Sequence, residues 1–312
     1  MEDFGVIVVC CDQDYVFAKG ACASIRHFLG DVPICLIVDG TFSLSNLEKA
    51  YSVTVINHLN VSNGVLREKS FGWGKTKMLA FWESPWKNFL VLDADTVIWG
   101  NIRKFANFQD YDFIIDRPCN EYSDEAITEY FFGIEKIEQY FPEFNWQKHR
   151  NNYFCTGTFF GTRDIFTLEE YVEILDFNNE HPNVFKYGEM GFLNYMIFRA
   201  ADQGRLRLGQ EDMQFIVPDF SPEHAKKRFP MNETGPVVLQ DEANVVHWCG
   251  PKPTLSSSNP YSEPMNFFRR KFLRDASGTS GLAAEALLQV EDLQRNVYVY
   301  KNKIRKKLTG KY

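Results

Sequence analysis

Two aspartates, Asp93 and Asp95, follow directly on the apolar run Phe89-Leu90-Val91-Leu92, with Ala94 between them. Four apolar residues without a break predict a strand buried on both faces of a parallel sheet. In an extended segment the i, i+2 spacing turns both carboxylates to the same side. Like charges gathered at the edge of a core require a cation, and open α/β folds take their ligands at the carboxyl edge of such a sheet. The chemistry predicted is divalent-metal binding. A solvated turn with two acids is the plainer alternative for so common a spacing. Downstream, Val245-Val246 leads into His247, followed by Gly250 and Lys252. Alone, such a histidine is more often an ordinary polar strand end. Beside the two aspartates it completes a mixed oxygen and nitrogen site with open positions, suited to Mn2+ or Mg2+. Lys252 then stands where it would neutralise a bound phosphate.

The elements around these residues follow from hydrophobic patterning. Val6 to Cys10 reads as a first strand, Val16 to Leu29 as a helix whose Gly20, Ala21 and Ala23 allow close packing, and Pro33 to Val38 as a second strand. Ser43 or Ser45 is placed to cap a short helix ending near Tyr51, and Val53 to Ile56 reads as a third strand. This alternation implies a parallel, doubly wound arrangement. Phe71-Gly72-Trp73-Gly74-Lys75-Thr76 imitates a phosphate loop, but Lys69 stands where that motif needs its first glycine. Lys75 to Trp82 is better read as a helix leading into the aspartate strand, with Lys75 facing either an anion or solvent. Tyr111 to Asp116 and Tyr153 to Gly161 read as strands, the latter with Gly157 where a backbone or ligand comes close. Asp164 to Phe177 reads as a helix. Glu189 opens another, where a carboxylate is also a simple capping residue. Short strands are expected over Gln214 to Val217 and Val237 to Gln240.

With these motifs in order, the chain resembles the glycosyltransferases of the GT-A fold, in particular the family-8 type that includes glycogenin and the lipopolysaccharide galactosyltransferases. The resemblance spans residues 6–255. Cys11-Asp12-Gln13-Asp14-Tyr15, followed by Gly20 and Ser24, looks like the family's first nucleotide-binding turn. Leu92-Asp93-Ala94-Asp95 matches its Leu-Asp-x-Asp, and Lys75 its preceding lysine. His247-Trp248-Cys249-Gly250-Pro251-Lys252-Pro253 resembles its His-x-x-Gly-x-x-Lys-Pro, one residue shorter. The resemblance implies an α/β GT-A fold, a mixed sheet flanked by helices, over 1–274. It implies Tyr15 stacking on a base with Cys11 and Asp12 beside it, and Asp93, Asp95 and His247 as metal ligands. Ala94, Lys75, Gly250 and Lys252 would then line the nucleotide, with uridine the base expected because the relatives use it. Cys155-Thr156-Gly157 stands where the family has Asn-Ser-Gly, and Glu189-Met190 where it has Asp-Gln, so these positions would face the donor sugar or acceptor in altered form.

The activity so implied is metal-dependent transfer of a sugar from a nucleotide diphosphate, with UDP expected, to a hydroxyl of a glycan or other acceptor. Glu189 is the candidate catalytic residue. It would be the general base of an inverting enzyme, or in a retaining enzyme would bind the acceptor or stabilise an oxocarbenium-like centre. Retention is slightly favoured. The competing reading is a catalytically silent GT-A-like scaffold assembled through its C-terminal helix. No Gly-x-Gly-x-x-Gly follows the first strand, which disfavours a dehydrogenase, and no glycine-rich basic first loop supports a nucleotidyltransferase.

Composition sets the remaining limits. The chain has 312 residues, 45% hydrophobic and 24% charged, with no apolar run long enough to span a membrane. Seven cysteines without a Cys-x-x-Cys pair look like core filler in a reducing compartment, so a cytoplasmic location is expected. Net charge is −7, yet residues 301–312 carry Lys301, Lys303, Arg305, Lys306, Lys307 and Lys311 and no acid. The body is therefore more acidic still, which argues against nucleic acid as partner. Residues 275–312 read as a small polar linker and a basic amphipathic helix. Ala286, Val290, Leu293, Val297, Tyr300 and Ile304 recur at steps of four and three. That stripe would dock on the catalytic domain, self-associate as a homo-oligomer, or hold a membrane surface peripherally. Phe267-Phe268-Arg269-Arg270-Lys271-Phe272 adds weight to the membrane contact.

Overall fold

The aspartate strand is the centre of the molecule because both of its faces are covered. In the computed structural model, which describes residues 3–309 except 73, 119–120 and 256–260, with side chains to Arg305, this strand runs Asn88–Asp93. Phe89 and Val91 enter one hydrophobic core with Ile7, Ile37, Phe81 and Phe159. Leu90 and Leu92 enter the other with Val6, Val8, Leu36 and Phe17. All four are fully buried, each worth about 1.5–3 kcal/mol as an upper bound.

The chain order is β1 (Phe4–Cys11), β2 (Ile34–Asp39), β3 (Thr54–Ile56), β4 (Asn88–Asp93), β5 (Thr96–Gly100), β6 (Phe113–Asp116), β7 (Thr158–Thr162), β8 (Leu208–Glu211) and β9 (Gln214–Ile216). A small hairpin, β10 (Met231–Asn232) and β11 (Gly235–Pro236), and then β12 (Ala243–His247) follow. Seven strands form one sheet in the order β3-β2-β1-β4-β7-β6-β8. Its first half is parallel, as the βαβ alternation demands. β7 then enters antiparallel to both β4 and β6, so the sheet is mixed. A second sheet, β5-β12-β9, continues from the turn that ends β4.

Several sequence expectations shift. Neither Ser43 nor Ser45 caps the helix Ser45–Tyr51, whose N-cap is Leu44; the two hydroxyls lie 3.1 Å from each other instead. Lys75–Leu79 is a 3-10 helix, with the α-helix only at Ala80–Glu83. The strand expected from Tyr153 begins at Thr158. The helix expected from Asp164 starts at Leu168 because Thr167 and Glu170 form a capping box there. Val237 to Gln240 forms no strand and leaves Leu239 exposed.

The C-terminal region departs most. The polar stretch near 275 is a break of three residues, 278–280, where Gly278 takes a left-handed conformation after the helix Glu263–Ser277. That helix lies against the first one, Tyr15–Leu29, so closely that a Cβ on Gly20 would sit 2.5 Å from Met265 Sδ. The basic aromatic stretch that adds weight to a membrane contact is partly used in this packing. Phe268 and Phe272 are buried, and Arg269 is 1% exposed and ion-paired with Glu291 and Asp292 at 3.2 and 2.8 Å. The last helix, Gly281–Thr309, folds back on the body through a stripe other than the one read from the sequence: Ala284 and Leu288 are buried. Val290, Leu293, Val297, Tyr300 and Ile304 face outward. Among the described residues no helix is long and apolar enough to cross a membrane.

Candidate metal and nucleotide site

β4 delivers Asp93 to the carboxyl edge of the sheet, and a tight turn reverses the chain at Ala94-Asp95 before β5 begins. The extended geometry expected for both acids therefore holds only for Asp93. What brings His247 near is strand pairing. β12 runs antiparallel to β5 with His247 opposite Thr96, and Trp248 N–H donates to Asp95 O at 3.1 Å. A histidine about 150 positions downstream is thus placed beside the aspartate turn by sheet register. Ligand atoms of Asp93, Asp95 and His247 lie within 4.8 Å of one another.

The charges around them fit a cation. Lys252 Nζ pairs with Asp95 Oδ2, and His247 Nε2 lies 3.5 Å from Asp95 Oδ1. Burial alone would raise the Asp95 carboxyl, but Lys252 and His247 hold it far below the usual carboxylate range. Burial would likewise lower His247, and Asp95 lifts it instead. Asp93 is pushed up by burial and partly relieved by Lys77. Positive side chains thus stand where an ion's charge would be needed, and the donor set of two carboxylates and one imidazole suits Mn2+ or Mg2+.

The imidazole is oriented from behind. Gln214 Nε2 donates to Cys155 O at 3.2 Å, so its amide oxygen faces the ring and accepts from His247 Nδ1–H at 2.8 Å. That bond leaves Nε2 for the ion. Gln214 is fixed in turn by Asp116, whose Oδ1 accepts the Met213 and Gln214 N–H groups at 3.0 and 2.8 Å. Gly157 lies under the ring: a Cβ there would be 2.3 Å from His247 Cε1, which explains the glycine expected at a close approach. Gln214→Leu should lower Mn2+ affinity about 10–100-fold while leaving the fold intact, read by calorimetric titration. Unchanged affinity would remove Gln214 from this role.

Asp116 adds a pH dependence. Burial pushes its carboxyl up to about 7 despite the two N–H bonds. Between about pH 4 and 7 the folded chain therefore holds a proton that the unfolded chain has lost, so stability falls as pH rises through that window. Asp116→Asn keeps the acceptor oxygen and removes the ionisation. Its melting temperature should show a flatter pH profile over this range than the wild type; an unaltered slope would exclude Asp116 as the source.

A second ionic cluster adjoins the first. Lys77, 3% exposed, pairs with Asp93 and Glu189, both at 2.8 Å, and donates to Thr156 O at 2.8 Å. Thr156 Oγ1 donates to the same Glu189 oxygen at 2.8 Å. The other carboxylate oxygen faces Gly74, where a Cβ would lie 1.6 Å from it. Gly74, at φ +78°, is therefore a space-making glycine rather than part of a phosphate loop.

These residues line one cleft of about 830 Å³. Cys11, Asp12, Ala94, Cys155, Thr156, Gly157, Glu189, Met190, Gly250 and Lys252, all candidates from the sequence, border it. Two expected residues do not. Lys75 is replaced by Lys77, because in a 3-10 turn residues two apart point to different sides. Tyr15 opens the first helix with its ring against Phe42 (centroids 5.3 Å apart), and Phe42 borders the cleft instead. The cysteines are not all filler: Cys22 and Cys35 are buried in the core, while Cys10, Cys11, Cys155 and Cys249 border the cleft, Cys10 from a buried position. A hydrogen bond from Cys155, working against burial, brings the Cys249 thiol down to about 6. Gln214 and Lys77 carried no motif that the sequence could reveal.

No family model and no curated protein matches this chain. Solved structures do. The galactosyltransferase LgtC, in complex with donor and acceptor sugar analogues, matches at TM-score 0.53 and 11% identity over 89% of this chain and 97% of that one. The bifunctional glycosyltransferase WbbM matches at TM-score 0.51 and 12% identity over 87% of this chain. The apo glycosyltransferase GlyE of Streptococcus pneumoniae TIGR4 matches at 0.51 and 13% identity over 94%. The chain spans 50% of WbbM and 64% of GlyE. At such identities the likeness establishes the fold, which is the GT-A fold of glycosyltransferases. Within that fold the chain resembles the LgtC type.

Proposed function

We propose that this chain is a metal-dependent glycosyltransferase that moves a sugar from a nucleotide diphosphate, UDP being the expected carrier, to a hydroxyl of a glycan or glycoconjugate. The observation that carries the reading is the meeting of Asp93, Asp95 and His247 at the carboxyl edge of a GT-A sheet. These three side chains would hold Mn2+ or Mg2+, which when bound draws negative charge from the leaving diphosphate.

The chain's own residues supply the rest. Lys252 pairs with Asp95 at the border of the cleft, and its flexible ammonium end is within reach of a diphosphate oxygen bound there. Glu189 is held by Lys77 and Thr156 on one oxygen and covered by Gly74 on the other. A carboxylate so engaged is poorly placed to take a proton from an acceptor. It is better suited to stabilise positive charge developing at the anomeric carbon. This supports retention of configuration: the bond from the anomeric carbon to the diphosphate breaks, the acceptor oxygen bonds to that carbon, and a leaving phosphate oxygen receives the hydroxyl proton. Met190, bordering the cleft, presents an apolar surface to the sugar.

Nucleotide release from a panel of nucleotide sugars, measured with Mn2+ and after chelation, tests the reading. Metal-dependent release is expected, and NMR of the transferred product should show the donor's anomeric configuration. No metal-dependent release with any donor would favour the silent scaffold; an inverted product would return Glu189 to the role of base.

A further inference from the structure

The last helix presents a second regular stripe, Ala284, Leu288, Glu291, Arg295, Tyr298 and Asn302, again at steps of four and three. Its members change character along the helix. Ala284 and Leu288 are apolar and buried. Glu291 and Arg295 are ionic anchors: Glu291 pairs with Lys19 at 2.5 Å, and Arg295 pairs with Asp14 at 3.0 Å while its guanidinium lies 5.0 Å over the Phe17 ring. Beyond Arg295 the stripe passes the edge of the body. Tyr298 and Asn302 border the cleft itself, across from the β1 end (Cys11 to Asp14) and the β2 end (Asp39 to Phe42).

Sheet order gives this end of the cleft a meaning. β2, β1 and β4 lie side by side, with Asp93 on β4. A diphosphate held near Asp93, Asp95 and Lys252 would therefore place its nucleoside toward β1 and β2, beneath the last helix. The chemistry agrees. Lysines gather at the diphosphate end, whereas the overhanging pair is a phenol and an amide, both uncharged. An amide offers donors and an acceptor to the edge of a base or to ribose hydroxyls, and an aromatic ring offers a face to the flat base. Tyr298 is 41% exposed although it belongs to the docking stripe, so a ligand would cover a ring that the protein leaves open.

We infer that Tyr298 and Asn302 form the outer wall of the nucleoside subsite, making the C-terminal helix part of donor recognition. This rests on the nucleotide-donor reading above. The test uses the full chain with saturating Mn2+ and calorimetric titration of UDP, GDP, ADP, CDP and inorganic pyrophosphate. Tyr298→Ala should weaken the tightest nucleoside diphosphate about tenfold or more and leave pyrophosphate unchanged, with Tyr298→Phe close to wild type. Asn302→Leu should weaken the same nucleotide severalfold. Neither side chain is in a core, so melting temperatures should hold. Equal nucleotide affinity in the Tyr298→Ala and Asn302→Leu proteins would overturn the inference, as would parallel losses for nucleotide and pyrophosphate. A wild type that binds pyrophosphate but no nucleoside diphosphate more tightly would also overturn it. A wild type that binds none of the five would remove the donor reading itself.

Discussion

Asp95→Ala should abolish the proposed metal-dependent sugar transfer, by about three orders of magnitude or more, and leave the protein folded. The size follows from what a divalent ion contributes at a leaving diphosphate, several kcal/mol of charge stabilisation. Asp95 is 5% exposed and is the point where three elements converge: the turn after β4, His247 at the end of β12, and Lys252. Without its carboxylate, Lys252 loses the largest charge that raises its basicity, and His247 loses the charge that lifts its own. The fold should survive because Lys252 keeps a quarter of its side chain in solvent, so its ammonium is not stranded in a core. Mn2+ titration and metal-dependent nucleotide release check the expectation together. Full turnover in the alanine variant would mean that the ion, if used, is held elsewhere.

Lys77→Met should cost about 3–5 kcal/mol of stability, because it leaves the buried Glu189 carboxylate and the half-buried Asp93 without their cation. Lys77 sits between Asp93 and Glu189, and Glu189 is only 6% exposed. Burial would lower the Lys77 ammonium's basicity, and the two carboxylates more than reverse this. Lys75→Met is the natural comparison, since Lys75 is half-buried and does not border the cleft. Its effect should stay within about 0.5 kcal/mol, the range of ordinary surface changes. Urea unfolding of the two variants separates them. Equal midpoints would show that Lys77 is not the cation that these carboxylates depend on.

Much of this site was legible in one dimension. The apolar run ending in two aspartates is visible because a strand buried on both faces has no polar residues to interrupt it. The Gly, Lys and Pro after His247 mark a strand end, and the first three βα units follow from periodicity. The parallel half of the sheet is local in this sense: each strand and its helix are neighbours in the chain. The entry of β7 antiparallel between β4 and β6 was not legible, since an apolar strand looks the same whichever way it runs. Nor was the face by which the last helix docks. Two heptad-like stripes coexist there, and the apolar one read from the sequence faces solvent, while the docked one is half ionic. Ion pairs with residues hundreds of positions away decide that choice, and composition does not encode them.

The amino-acid sequence on its own determined the candidate residues for the proposed chemistry, Asp93, Asp95, Glu189, His247 and Lys252, and the strands and helices that carry most of them. Only the tertiary structure decided that β12 pairs with β5, bringing the imidazole to the aspartate turn, and that Lys77 rather than Lys75 points inward. It likewise decided that Gln214 orients the ring and that Tyr298 and Asn302 reach the cleft. The physical reason is one of range. Side-chain chemistry and backbone periodicity act over a few residues, while register, facing and ion pairing depend on which distant segments share a surface.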